Sequence, residues 1–122
     1  MGLFSRSSNS TDIPWTAVES LAQLDEILSA PSDKAKLFFK HSTRCSISSF
    51  ALRTFEKEWS DADDAFELYF VDLIAHRDVS NAIAENLKIT HQSPQAIVIR
   101  QGEVIYDASH SSIDAGKIQK LA

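Results

Sequence analysis

What this 122-residue sequence has least of narrows its chemistry. It contains one cysteine, Cys45, one methionine, three prolines and three glycines. A lone thiol cannot close an internal disulfide, so the fold does not depend on one, and scarce cysteine suits a reducing compartment. No apolar run approaches the roughly 18 residues that a membrane span requires. The opening MGLFSRSSNSTD has no hydrophobic stretch of signal-peptide length, and Arg6 stands where an N-myristoylation signal needs Ser or Thr. Positive charge is short as well: 12 Lys and Arg against 17 Asp and Glu leave a net charge of -5, which argues against a nucleic-acid backbone as partner. These absences lead us to expect a cytoplasmic protein with neither nucleic acid nor membrane among its partners.

What is present fits one domain. Residues 1–12 are expected to form a flexible, Ser-rich N-terminal tail, and residues 13–122 the folded domain. Trp15 to Val18 can form a short strand. Ser20 with Gln23 makes a capping-box pattern, and Leu21, Leu24, Ile27 and Leu28 recur at helical spacing until Pro31-Ser32-Asp33 breaks the helix. Lys36 to Lys40 is a compact apolar run with charged ends, as in a buried central strand. A polar loop, His41 to Ser48, leads into a second helix with Phe50, Ala51, Phe55 and Trp59 on its apolar side, ended by Ser60 to Asp64.

Phe66 to Ile74 reads as another strand. Residues 78–87 read as a third helix, capped by Asp78 or Ser80, with Val79, Ile83 and Leu87 on one stripe. The chain closes with a hairpin, Ala96 to Arg100 and Glu103 to Tyr106 around Gln101-Gly102, and a short helix, Ile113 to Leu121. The order βα-βαβαββα predicts an α/β fold with a central mixed sheet flanked by helices, parallel within its alternating part and antiparallel at the hairpin. That order resembles the thioredoxin fold. Trp15, Trp59 and most of the phenylalanines are expected in its core.

Cys45 falls where a buried strand ends and a helix begins, the place where open α/β sheets put their reactive groups. A helix start offers unpaired N–H groups and the positive end of the macrodipole, and Arg44 adds a positive charge if its side chain turns inward. In general, lowering a thiol pKa from about 8.5 to about 6 raises the thiolate fraction about 30-fold while nucleophilicity falls about 13-fold, so attack quickens only about twofold. The larger gain is a good leaving group, which suits a carrier of disulfides better than a permanent trap. Three residues on, where a C-x-x-C motif has its second cysteine, stands Ser48. A hydroxyl there can donate a hydrogen bond to a thiolate but cannot displace a disulfide, so any turnover must finish with an outside thiol. A buried, inert cysteine is the competing reading, and the polar residues 41–44 argue against it.

Pro94 precedes the Ala96 strand. A cis Ser93–Pro94 bond at that place would bring the Ser93 backbone beside Cys45 to hold an incoming disulfide. His41 and His91, with Cys45, offer too few ligands at the wrong spacings for a structural zinc site, so no metal is expected. Either histidine could instead lie near the sulfur.

The segments FFKHSTRCSIS and FVDLIAHRDVSNAIAENLKITHQSPQAIVIRQGEVIYDASHSSI together resemble the monothiol bacilliredoxin family of YtxJ type, over roughly residues 15–122. The resemblance implies a thioredoxin-like protein that removes bacillithiol from protein mixed disulfides during oxidative stress. It makes Cys45 the active cysteine, Ser48 the serine in place of a resolving cysteine, and Pro94 the substrate-side proline. Where the family commonly has proline, this chain has Ser46, which frees the first helical turn and adds an N–H that could help a thiolate.

The leading expectation is therefore a monothiol oxidoreductase. Cys45 and Ser48 are at its centre, and Arg44, Ser46, His41, Ser93 and Pro94 stabilise the thiolate or bind substrate. It binds no cofactor, uses bacillithiol or a similar small thiol as co-substrate, and acts on protein mixed disulfides as a monomer or weak dimer. Two alternatives use the same cysteine: a dimer binding an iron–sulfur cluster, or a redox sensor that does not turn over. The chain lacks the downstream Gly-Gly usual in cluster-binding glutaredoxins, its glycines being Gly2, Gly102 and Gly116.

Overall fold

The fold is taken from a computed structural model, which describes residues 13–59 and 65–121. The expected tail at 1–12 and the helix-ending segment 60–64 lie outside the described residues. The elements are β1 (Thr16–Ala17), α1 (Leu21–Ser29), β2 (Ala35–His41), α2 (Ser46–Glu58), β3 (Phe66–Asp72), α3 (Arg77–Leu87), β4 (Gln95–Arg100), β5 (Glu103–Ser109) and α4 (Ala115–Gln119). They form one five-stranded sheet in the order β1-β3-β2-β4-β5. β1 and β2 run parallel to β3, β4 runs antiparallel to β2, and β5 runs antiparallel to β4.

β2 lies in the middle of the sheet, and its alternation sets the two halves of the core. Leu37 and Phe39 face Phe55 of α2 and Ile118 of α4; Phe38, one residue out of phase, faces Leu24 and Ile27 of α1 and Val79 and Ile83 of α3. Because both faces are covered, the strand reads as a nearly unbroken apolar run rather than as an alternation. Lys36 is buried at the near end of β2, where its Nζ donates to the carbonyls of Ile27 and Ala30 and so satisfies the C-terminal end of α1.

Local chemistry accounts for the helix ends. The Ser20 hydroxyl accepts from the Gln23 N–H at 3.1 Å, and the Gln23 side chain accepts from the Glu19 N–H at 2.8 Å. Asp114 caps α4 in the same way through the Lys117 N–H. The third helix starts one residue earlier than expected and is capped by neither Asp78 nor Ser80. His76 is its N-cap, Asp78 accepts from the Val79 N–H, and Ser80 is buried in the helix interior. β5 runs to Ser109, beyond the expected Tyr106, because its pairing with β4 continues to Gln95↔Ser109. A 3-10 turn at His110–Ser112 follows, and the last helix is shorter than the expected Ile113–Leu121 because Asp114 is its N-cap and Lys120 its C-cap. Phe38, Phe39, Phe55 and Phe66 are in the core as expected, but Phe50 is 65% exposed, as is Leu21 at 46%. No described helix is long and apolar enough to cross a membrane.

Candidate functional site

β2 ends at His41, and a tight turn carries the chain into α2. The Cys45 N–H donates to the Ser42 carbonyl at 3.1 Å, closing a turn over Ser42–Cys45, and the Cys45 carbonyl accepts the first helical bond from Ser49 at 3.0 Å. Cys45 is thus the N-cap of α2, extended at φ -109° and ψ 120°, half-buried and free. Its side chain makes no capping bond. The first-turn N–H groups of α2 accordingly face the same end of the helix as the thiol, where an anion is favoured.

Ser48 is wholly buried. Its hydroxyl accepts from the Ser42 N–H at 3.0 Å and meets His41 Nδ1 at 2.7 Å. The side chain therefore ties the start of the Cys45 loop to the first turn of α2. His41 itself is 6% exposed and packs its ring 5.6 Å from that of Phe70. Burial lowers its pKa below the usual 6.5, against the opposing pull of Asp72, Glu56 and the Ser48 contact. Arg44 and Ser46 are exposed, Ser46 being the first residue of α2.

The Ser93–Pro94 peptide bond is cis. Since β4 runs antiparallel to β2, the segment before it lies at the same end of the sheet as the Cys45 loop. The Pro94 carbonyl accepts from the His110 N–H at 3.0 Å, and the Ser93 hydroxyl is enclosed with no partner among the described residues. The buried side chain of Gln95 holds this segment: its Oε1 accepts from the Gln92 N–H at 3.2 Å and its Nε2 donates to the Thr90 carbonyl at 3.0 Å.

The two histidines do not come together. His41 lies on the α2 face of β2, whereas His91 Nδ1 meets Lys40 Nζ at 3.1 Å and the Ser80 hydroxyl at 3.3 Å on the α3 face. Among the described residues no group of three or more His, Cys, Asp or Glu side chains is placed to hold a metal ion. Sequence reading missed Lys40, Ser80 and Gln95 as parts of this end of the molecule. The available signal was two lysines, Lys36 and Lys40, on one phase of an otherwise apolar central strand.

Beside the thiol the surface turns apolar. Ile47 and Phe50 are 61% and 65% exposed. With Ala51, Thr54, His110 and Ile113 they line a groove of about 210 Å³ that begins two residues from Cys45.

A mixed sheet of this order, helices on both faces and one thiol capping the helix after the central strand define a thioredoxin-fold protein that carries a single thiol. Solved structures agree. One described as having a thioredoxin fold shares 26% identity, covering 85% of this chain and 89% of its own, with a TM-score of 0.71. The Malassezia sympodialis thioredoxin Mala s 13 shares 21% identity over 93% of this chain and 92% of its own, at 0.65. The Nicotiana alata thioredoxin NaTrxh shares 13% over 93% and 94%, at 0.69. Within that fold the chain belongs to the monothiol bacilliredoxin family: residues 16–118 match the family described as monothiol bacilliredoxin BrxC.

Proposed function

We propose that this protein is a monothiol thiol–disulfide oxidoreductase that removes a small thiol, bacillithiol or a close analogue, from protein mixed disulfides. The Cys45 thiolate attacks the sulfur of the small thiol in a protein–S–S–R bond. The new Cys45–S–S–R bond forms as the protein sulfur leaves with the electron pair as a thiolate. A second small-thiol thiolate then attacks the R sulfur, releases R–S–S–R and restores Cys45.

The observation that carries this reading is the pairing of a half-buried, helix-capping thiol with a serine one turn along whose hydroxyl is bonded to His41 and Ser42. Cys45 has no neighbouring thiol, so the disulfide it acquires must be resolved from outside. The exposed apolar groove beside Cys45 supports a polypeptide as the leaving side, since a patch of this kind on an otherwise polar surface is where another chain docks. Family membership supports the small thiol as the transferred group. On this reading the protein binds no resident cofactor and works in the cytoplasm, in oxidative stress, as a monomer or weak dimer.

The test is removal of bacillithiol from a model protein mixed disulfide, following the freed protein thiol. The wild type should accelerate release, Cys45→Ala should abolish the acceleration, and Ser48→Ala should only slow it. Full activity in Cys45→Ala would exclude the mechanism. Brown, visibly absorbing protein from anaerobic purification would favour the cluster-binding alternative instead. A Cys45 adduct that no added thiol removes would favour a sensor.

A further inference from the structure

Two polar sets meet the sheet at the end that carries the Cys45 loop, and only the His41–Ser48 set touches the first turn of α2. The other is Lys40, His91 and Ser80. Lys40 is fully buried in the middle of the sheet, with no carboxylate in contact among the described residues. Its Nζ meets His91 Nδ1 at 3.1 Å, and the Ser80 hydroxyl approaches the same nitrogen at 3.3 Å. A charged lysine has donors only, so Nδ1 must accept, which fixes His91 as the neutral tautomer with its proton on Nε2. The placement matters because Lys40 lies on the strand that leads into the Cys45 loop, and His91 lies on the segment that leads into Ser93 and Pro94. The backbones of Lys40 and Gln95 are register partners.

We propose that buried Lys40 and half-buried His91 form a latch that positions the Ser93–Pro94 segment against the Cys45 loop, so that a polypeptide disulfide is held in line for attack. They are positioning residues: neither is placed against the sulfur. The proposal rests on the oxidoreductase reading above and names the part of the molecule that selects for polypeptide substrates.

The latch has a defined way to open. Protonation of His91 at Nδ1 removes the acceptor and leaves two cations 3.1 Å apart. The groups facing His91 are Lys40 from β2 and Arg77 and Ser80 from α3, none of them acidic. Gln95, on β4, is neutral, and the nearest carboxylate in the network is Asp107 of β5, 3.5 Å from Gln95 Nε2. Burial, Lys40 and Arg77 together hold the His91 pKa below 6.5, so the latch is closed at neutral pH and opens in acid. Lys40, lowered by burial to about 8, is still mostly charged at pH 7.

The test compares two probes that offer Cys45 the same sulfur to attack. One is a cysteine peptide disulfide-linked to 2-mercaptoethanol, and the other is the symmetric disulfide of 2-mercaptoethanol. In each, the Cys45 thiolate forms a new S–S bond to a 2-mercaptoethanol sulfur, followed by intact mass; the peptide thiolate leaves with the electron pair from the first, and the small thiolate from the second. Lys40→Met and His91→Leu should slow the peptide reaction about 10- to 100-fold, the range for a misplaced reacting partner. Both should leave the small-disulfide rate within about twofold, as expected when only a positioning contact is lost. His91→Asn keeps an acceptor near the Nδ1 position and should restore most of the peptide rate at pH 7. The wild-type ratio of peptide to small-disulfide rates should fall as pH drops below 6.5, while the His91→Asn ratio should stay flat.

Amide exchange at Gln92 and Gln95 gives a readout independent of the chemistry. It should quicken in Lys40→Met and, for the wild type, in acid. Unchanged exchange in Lys40→Met, or equal slowing of both probes, overturns the latch. Wild-type protein that reacts with neither probe overturns the oxidoreductase reading instead, and the exchange data then decide the latch alone.

Discussion

His41 Nδ1 and Ser48 Oγ lie 2.7 Å apart, and the same serine oxygen accepts the Ser42 N–H at 3.0 Å. The serine one turn after Cys45 is thus a structural brace between the last residue of the central strand and the first turn of α2. Ser48→Ala would leave a half-buried backbone N–H and a buried imidazole nitrogen without this partner, a loss of about 1–3 kcal/mol. Thermal or denaturant unfolding should show that loss, with Cys45 still reactive. An unchanged midpoint would contradict the brace.

Ser48→Cys tests the same position from the chemical side. Two thiols at the N-cap and third positions of a helix are within disulfide reach. Mild oxidation should give an internal disulfide, seen by intact mass as loss of two hydrogens, and turnover should then no longer require an external thiol to clear Cys45. Persistence of the small-thiol adduct in this variant would show that the buried serine site is closed to the sulfur.

The acid side of the stability curve should be set in part by His41. Burial lowers its folded-state pKa below 6.5 despite Asp72 and Glu56, so the unfolded chain binds the proton more readily. Stability then rises with pH wherever the unfolded state holds more protons. The contribution of the neutral ring is complete above pH 6.5 and declines as pH falls from 6.5 through the lower folded value. His91 is shifted in the same direction and adds to it. His41→Asn, which keeps an oxygen acceptor but does not titrate, should show a smaller decline in unfolding midpoint across that window. Parallel curves for the two proteins would refute this.

Ile47 and Phe50 should matter to exchange without mattering to folding. At 61% and 65% exposure they add little to the core, so Ile47→Ser and Phe50→Ser should shift stability by no more than about 0.5 kcal/mol. The rate with a protein mixed disulfide should nevertheless drop while the rate with a small disulfide holds. Equal rates with both substrates would remove this groove from the docking surface.

Lys36 supplies the opposite dissociation. Its buried ammonium satisfies the Ile27 and Ala30 carbonyls at the end of α1, so Lys36→Met should destabilise by about 1–3 kcal/mol. It lies at the start of β2, far along the strand from His41, and disulfide exchange should continue in whatever fraction remains folded.

Much of the fold was legible in the sequence because its signals were local. Ser20 with Gln23 marked the start of α1, the Lys36–Lys40 run marked a strand covered on both faces, and Gln101-Gly102 marked the hairpin, where both residues have positive φ. What stayed hidden was long-range. Phe50 follows the apolar stripe of α2 closely enough to look like core, but the helix turns that side toward the groove. Ser80 looks like a cap and is instead a buried partner of His91, because the segment before β4 folds back over α3. Lys40 looks like the charged end of a strand until the register with β3 shows the strand continuing to His41. Cys45 could be located by its place between strand and helix; the side chains around it could be assigned only once the faces of β2 were known.

The most direct test of the account is intact-mass analysis of the purified protein exposed to bacillithiol disulfide and, separately, to glutathione disulfide, with Cys45→Ala as control. The account predicts one adduct per chain, absent from Cys45→Ala, formed faster with bacillithiol disulfide and removed by added small thiol. No Cys45-dependent adduct with either disulfide, or one that added thiol leaves in place, would contradict it.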